Sequence, residues 1–243
     1  MQLPYTLPSY VFSPNWFYGI DSIIEIIGII ICSLLLYYSY RCYKLTSENR
    51  YRYFSVAFLS LTLAFIAKVI GTLTIYEPAI NTSNLGSMFH SIFTAITPNM
   101  INALAFLFYI FFMTAGFMML FLIVSKLDWK DKRVIAMLGY TVFIATWLGA
   151  IHYQLFYFTT FVMLCLIAYS YYKNYTEVKS KNALLVSISF GILLISHLFF
   201  VFVIYNRTIY VIAEIMQLIG FLCLLIPFIL IFRKKPLKYK LIK

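Results

Sequence analysis

The stretch "ISHLFFVFVIYNRTIYVIAEIMQLIGF", residues 195–221, contains two apolar runs on either side of a short polar turn at Asn206 and Arg207. Each run continues past the quoted ends to a length near the ~20 residues that a helix needs to cross a hydrocarbon core of about 30 Å. The stretch therefore predicts two transmembrane helices joined at the membrane surface. His197 and Glu214 lie at similar distances from the turn, so both should reach the same depth.

The composition of the whole chain is typical of a membrane protein. Of its 243 residues, 63% are hydrophobic and only 11% are charged, whereas soluble domains carry about 25% charged residues. Backbone polar groups inside a bilayer must bond to one another, and the alternating pattern of a membrane barrel is absent, so the spans should be helices. We predict an all-α membrane protein with a single domain of seven transmembrane helices, at about residues 17–40, 53–76, 99–125, 134–151, 155–172, 183–204 and 208–232.

Basic residues are concentrated in alternate loops. They follow the first, third, fifth and seventh spans, which together account for 17 of the 19 Lys and Arg residues, and the opposite loops contain only Arg207. The positive-inside rule therefore predicts an external N-terminus and a cytoplasmic C-terminus, in an integral protein of the cell membrane. Topology and attraction to anionic membrane lipid account for the net charge of +11. A nucleic-acid partner is not needed to explain it.

Two segments share the same order of features, which suggests a 3+1+3 arrangement with parallel repeats. They are "YYSYRCYKLTSENRYRYFSVAFLSLTLAFIAK" and "AYSYYKNYTEVKSKNALLVSISFGILLISH". In each, Tyr-Ser-Tyr at the inner end of a helix precedes a basic loop of about ten residues and a Ser-containing helix with one ionisable residue, Lys68 or His197. Repeated aromatic and basic anchors at the inner interface would produce the same pattern without a duplication.

This hairpin pattern resembles the sensory membrane modules of bacterial and archaeal seven-helix histidine kinases. In that family, paired helices are joined by short, Arg-rich cytoplasmic loops. The resemblance covers most of the chain and implies a sensory function. The kinase or cyclase domain of the family is missing here, so the resemblance implies that any signal passes to a separate cytoplasmic partner.

Four ionisable residues on four different spans are predicted to lie at one level. Glu25, Lys68, His197 and Glu214 are each about eight residues from the outer end of a span, which places them roughly 10–13 Å below the outer boundary. A lone charge at the centre of a helix costs about 2.5–3.5 kcal/mol on insertion scales, so we expect these side chains to meet one another.

Two more polar residues extend this layer. Asp21 lies one turn above Glu25, and Gln217 follows Glu214 by three residues on the same face. One hypothesis is a pocket for a small-molecule ligand or a proton, in which Glu25, Glu214 and His197 change protonation and Lys68 is the fixed counter-charge. The alternative is a purely structural network of interhelical contacts.

Metal and haem sites are less well supported by the sequence. It contains no HxxxH or HExxH spacing, and we predict neither a metal nor another cofactor. No set of catalytic residues is recognisable, which disfavours an enzyme. The favoured prediction is a receptor-like sensory protein with a ligand- or proton-responsive pocket in the outer half of the bundle. The alternatives are a small proton-coupled transporter and a structural subunit of a larger membrane complex.

Two features near the ends of the spans complete the predictions. Residues 86–97 have apolar side chains at helical spacing, which predicts a helix lying flat in the outer interface. Pro227 lies near the inner end of the last span and should kink it.

Overall fold

A computed structural model of the chain describes residues 13–75, 98–125 and 132–234. The interfacial helix predicted at residues 86–97 lies outside this part. The described residues form seven long α-helices and no strand. The helices are α1 (Ile20–Thr46), α2 (Asn49–Ile75), α3 (Pro98–Val124), α4 (Lys132–Ile151), α5 (Tyr153–Val178), α6 (Lys181–Val201) and α7 (Thr208–Lys234).

All seven helices are long and apolar enough to cross a membrane. With 20 to 27 residues each, they measure about 30–40 Å at 1.5 Å per residue, which matches the hydrocarbon core. Large apolar side chains are exposed on the outside of the bundle, including Ile23, Phe143 and Ile188. Exposed apolar surface of this extent indicates contact with lipid. The prediction of an all-α, multi-pass membrane protein is confirmed.

The connections after α1 and α5 are much shorter than the loops of about ten residues expected from the sequence. Two residues separate α1 from α2, and two separate α5 from α6. Ser47 and Lys179 end the first helix of each hairpin in the left-handed conformation, and their N–H groups donate to carbonyls four residues earlier. The expectation was wrong because both helices continue through polar and aromatic residues that hydropathy does not assign to a span.

The helices pack as two groups with α4 at the edge. α2 packs against α1 and α3, and α6 packs against α5 and α7. α1 also contacts α7, and α5 also contacts α3, so the two groups meet at two further interfaces. α4 packs against α3 and α5 and is mostly exposed. We call the end of the bundle at the α1–α2 and α5–α6 connections the basic end.

Two glycines allow close helix packing in the core. A Cβ atom on Gly116 in α3 would lie 2.7 Å from Cδ2 of Leu61 in α2. A Cβ atom on Gly220 in α7 would lie 2.7 Å from Cδ2 of Leu193 in α6. Both leucines are fully buried. Small residues at such contacts let the helix backbones approach each other, which is how membrane helices gain van der Waals packing.

Candidate functional site

The Lys68 ammonium group contacts two buried carboxylates from two other helices. Its Nζ lies 3.4 Å from Oε1 of Glu25 in α1, and it also donates a hydrogen bond to Oε1 of Glu214 in α7. Glu25 is 0% exposed, Glu214 is 1% exposed and the Lys68 side chain is 10% exposed. The structure therefore brings together three of the six residues predicted for the site. We call these three residues the ion-pair cluster.

A threonine hydroxyl adjoins this cluster. Thr72 Oγ1 lies 3.3 Å from Oε2 of Glu25 and 3.0 Å from the carbonyl oxygen of Lys68. The single hydroxyl hydrogen can be donated to only one of these acceptors at a time. Thr72 was not among the residues predicted for the site, although its spacing of four residues from Lys68 places it on the same helix face.

Three aromatic rings surround the Lys68 ammonium group on its remaining sides. Nζ lies 5.7 Å from the ring centroid of Tyr109 in α3, 5.7 Å from that of Phe200 in α6 and 5.6 Å from that of Tyr210 in α7. At these distances the ring faces attract the ammonium charge. These three rings could not be predicted for the site. The chain contains 21 Tyr and 24 Phe residues, and the sequence alone does not distinguish most of them from residues that only pack the core.

His197 is fully buried and lies among aromatic rings. Its ring centroid is 5.3 Å from that of Phe117 and 5.9 Å from that of Phe200. Its Nδ1 lies 3.0 Å from the carbonyl oxygen of Leu193, so Nδ1 carries the hydrogen of this bond. His197 forms no ion pair with any carboxylate in the described part of the chain, and its Nε2 has no hydrogen-bond partner there. The structure thus does not bring His197 into the ion-pair cluster.

Asp21 and Gln217 are buried, and neither is part of an ion pair with Lys68. Asp21 Oδ1 accepts hydrogen bonds from the N–H groups of Gly19 at 3.0 Å and Ser22 at 2.8 Å. This carboxylate therefore satisfies free N–H groups at the start of α1. Within the described residues, the amide nitrogen and oxygen of Gln217 have no hydrogen-bond partner. A buried amide in this state is available to bind a polar group.

The core on the basic side of the ion-pair cluster is mainly apolar. Phe65 in α2 meets Phe221 in α7 with ring centroids 5.5 Å apart, and a Cβ atom on Gly28 in α1 would lie 3.2 Å from the Phe65 ring. Phe58 and Phe117 are buried in the same core. Buried hydroxyl groups in this region include that of Ser60, which donates to the carbonyl oxygen of Phe112. These contacts give no continuous polar path from the cluster towards the basic end through the described residues.

The described residues contain no group of three or more His, Cys, Asp or Glu side chains that could hold a metal ion. No protein-family model matches the sequence, and no curated protein or solved structure matches the chain.

Proposed function

We propose that this chain is a receptor-like sensory membrane protein whose ion-pair cluster responds to protonation. The observation that carries the proposal is the charge of the cluster. Glu25 and Glu214 supply two negative charges and Lys68 supplies one positive charge, all in a nearly water-free place. One negative charge is left in excess when all three groups are ionised. Because an uncompensated charge inside a membrane protein is costly, a proton or another cation that neutralises it is bound favourably.

A proton would change which helices Lys68 holds together. In the ionised cluster, Lys68 in α2 attracts both Glu25 in α1 and Glu214 in α7. A proton on one of the two carboxylates removes its charge and leaves Lys68 in a neutral pair with the other. The attraction of α2 to the helix of the protonated carboxylate weakens, while its attraction to the other helix remains. A sensor requires two arrangements with different affinities for the proton, because binding of the proton then shifts the balance between them.

We also propose that the bundle consists of two parallel repeats, α1–α3 and α5–α7, with α4 between them. Leu193 and Lys179 follow Leu61 and Ser47 by the same number of residues. Leu61 packs on Gly116 as Leu193 packs on Gly220, with the same distance of 2.7 Å to a Cβ built on each glycine. Ser47 and Lys179 end their helices in the same left-handed conformation. These matches support a repeat over both hairpins.

Contacts between the two proposed repeats recur with the partners exchanged. Phe65 in α2 meets Phe221 in α7 with centroids 5.5 Å apart and planes at 78°. In the same alignment, His197 in α6 corresponds to Phe65 and not to Lys68, with which the sequence pattern paired it, and Phe117 in α3 corresponds to Phe221. His197 meets Phe117 with centroids 5.3 Å apart and planes at 81°. This exchange is expected of repeats related by a two-fold axis along the membrane normal.

The ion-pair cluster would then lie where the two repeats meet. Glu25 and Lys68 belong to the first repeat and Glu214 to the second, so a proton bound by the cluster changes the balance of attractions within and between the repeats. The basic residues support a cytoplasmic basic end and an external N-terminus in the cell membrane. The ion-pair cluster would then lie in the outer half and sense the outside. The resemblance to seven-helix sensor modules fits this arrangement, in which a separate cytoplasmic partner reads the basic end.

A proton-coupled transporter is supported less well. It would need polar groups that continue from the cluster to the other side, and the core there is apolar, with Phe65 and Phe221 in ring contact. A structural subunit of a larger complex would use the cluster only as a fastener. That alternative predicts a cluster that holds the helices together and does not respond to pH, which separates it from the proposed function.

The variant Glu214→Gln tests the proposal, because glutamine keeps the size of the side chain and removes its proton-dependent charge. Hydrogen–deuterium exchange of the purified protein in nanodiscs, corrected for the intrinsic effect of pH, should show that lowering the pH speeds exchange in α1 or α7 of the wild type. In Glu214→Gln, this dependence on pH should be lost, and exchange should be fast at every pH. Glu177→Gln is the matched control, since Glu177 is exposed at the end of α5.

Two results would contradict the proposal. The same dependence on pH in the wild type and in Glu214→Gln would place the responsive group elsewhere. The second contradicting result is a wild type whose exchange in α1 and α7 does not depend on pH, together with a Glu214→Gln variant that is only less stable. The second result would assign the cluster a purely structural role.

A further inference from the structure

A second site lies at the basic end, away from the ion-pair cluster. The ends of α2, α5, α6 and α7 enclose a cavity of about 250 Å³. Arg50, Asn174 and Asn182 line its polar side, and Phe54, Phe190 and Phe228 are among the residues of its apolar side. The cavity therefore combines hydrogen-bond donors near the membrane surface with an aromatic interior.

The polar side of the cavity suits an anion. Arg50 is exposed, and its guanidinium group lies 5.9 Å from the ring centroid of Phe54. Arg50 forms no ion pair with a carboxylate in the described residues, and neither Asp nor Glu lines the cavity. A guanidinium group can bind a phosphate with two parallel N–H bonds, and asparagine side chains at the same rim supply further N–H donors.

The interior of the cavity suits hydrocarbon. Phe190 is 1% exposed and Phe54 is 8% exposed, and Leu224 and Pro227 also line the cavity. Pro227 lies inside α7, as the sequence predicts for the last span. Proline has no backbone N–H, so the helical bond to the carbonyl of Cys223 cannot form at this point. The side chains of Phe54, Phe190, Leu224 and Pro227 offer hydrocarbon and no hydrogen-bonding group to a ligand.

We propose that this cavity binds an anionic glycerophospholipid of the membrane leaflet at the basic end. The phosphate contacts Arg50, Asn174 and Asn182, and the first part of one acyl chain enters between Phe54 and Phe190. A volume of about 250 Å³ is slightly below the ~300–1,000 Å³ of sites that enclose a whole small molecule. Part of one chain fits the cavity, and the rest of the lipid stays in the bilayer.

Charge favours this occupant over a segment of the protein itself. The residues after α7 are "KPLKYKLIK", which carry four lysines and no acidic residue. This tail would bring like charge to Arg50. Exposed basic residues near the cavity, among them Arg52, Lys173 and Lys181, would also attract an anionic headgroup. These residues act on all anionic lipids nearby, whereas Arg50 selects the one at the cavity.

Native mass spectrometry of the purified protein, titrated with phosphatidylglycerol or phosphatidylcholine, tests the proposal. The wild type should retain one phosphatidylglycerol more tightly than phosphatidylcholine. Arg50→Gln should weaken this binding about tenfold or more, since hydrogen bonds to charged groups contribute about that much. The matched control is Arg52→Gln, because Arg52 is exposed on the same helix and does not line the cavity.

A second pair of variants tests the hydrocarbon part. Val186 lines the cavity and Ile188 is exposed to lipid on the same helix, so Val186→Trp should block phosphatidylglycerol and Ile188→Trp should not. Equal losses in Arg50→Gln and Arg52→Gln would show diffuse attraction to basic residues and overturn the proposal. Wild-type binding in Val186→Trp would also overturn it. So would a large gain in binding after removal of residues 235–243, because the tail would then be the occupant.

Discussion

Replacing Lys68 by methionine is expected to destabilise the protein by about 3–5 kcal/mol, the usual cost of removing one partner from a buried ion pair. The variant keeps most of the length and packing of the side chain and removes the ammonium group, with its charge and its N–H donors. Glu25 and Glu214, both almost fully buried, would then lose their common counter-charge. The two carboxylates would repel each other in a region with little water.

The distances in the ion-pair cluster set this magnitude. At the 3.4 Å between Lys68 Nζ and Glu25 Oε1, Coulomb's law gives an attraction of about 5 kcal/mol at an effective dielectric constant of ~20. An ordinary interhelical hydrogen bond in a membrane protein contributes about 0.6 kcal/mol on average. A loss of several kcal/mol would therefore indicate a charged cluster, and a loss near 1 kcal/mol would indicate neutral fasteners.

Equilibrium unfolding in mixed micelles, by titration with a denaturing detergent, measures the effect. Without Lys68, the folded protein should bind more protons at Glu25 and Glu214 than the unfolded chain does. The stability of Lys68→Met should therefore rise as the pH falls, because stability increases towards low pH when the folded state binds more protons. The triple variant Lys68→Met/Glu25→Gln/Glu214→Gln carries no charge in the cluster and should recover most of the lost stability.

Lys173→Met is the control, since Lys173 is exposed in α5. A loss of stability in Lys68→Met no greater than that in Lys173→Met would refute the role of Lys68 as a counter-charge. A triple variant less stable than Lys68→Met alone at alkaline pH would also refute it. In either case, the ammonium group would not be compensating two ionised carboxylates.

The remaining predictions concern the repeat and the histidine. Gly116→Ala and Gly220→Ala should each lower the free energy of unfolding by about 1–3 kcal/mol through overpacking, whereas Gly191→Ala should not, because nothing lies within 4 Å of a Cβ built there. His197→Phe should change stability by no more than about 1 kcal/mol, since the substitution exchanges one hydrogen bond for an aromatic contact. The same variant should keep the response of the bundle to pH.

Opposite results would count against the repeat and the assignment of His197. If only one of Gly116→Ala and Gly220→Ala lowers the detergent midpoint, the two glycine contacts are not equivalent. If Gly191→Ala is as unstable as either, close packing is not the cause. Loss of the pH response in His197→Phe would show that the imidazole belongs to the responsive site.

The level of a residue along its helix can be predicted from a membrane sequence, but the direction of its side chain around the helix cannot. Glu25, Lys68 and Glu214 were expected at one level from the helical rise and the length of the apolar runs, and they are in contact. His197 was placed at that level by the same count. Its direction around α6 turns it towards Phe117, which no count along the chain reveals.

The ends of the helices could not be predicted from the sequence either, for a related reason. Hydropathy ends a span where polar residues begin, whereas a helix continues into the interface as long as its backbone can hydrogen-bond. α5 runs to Val178, about six residues past the predicted end. Asn174 lies on this extension, so the cavity at the basic end could not be predicted from the apolar blocks. The aromatic rings around Lys68 were hidden by the sheer number of aromatic residues.

The second proposed repeat shows how the layer of the ion-pair cluster packs without charges. In the proposed alignment, Tyr157 and Phe200 correspond to Glu25 and Lys68, and their rings stack with centroids 4.6 Å apart. Apolar replacements for a buried ion pair are often neutral or stabilising, by up to about 4 kcal/mol. Stability alone therefore does not require charges in this layer of the fold. The charged version supplies something that stacked rings cannot, an attraction between helices that a single proton removes.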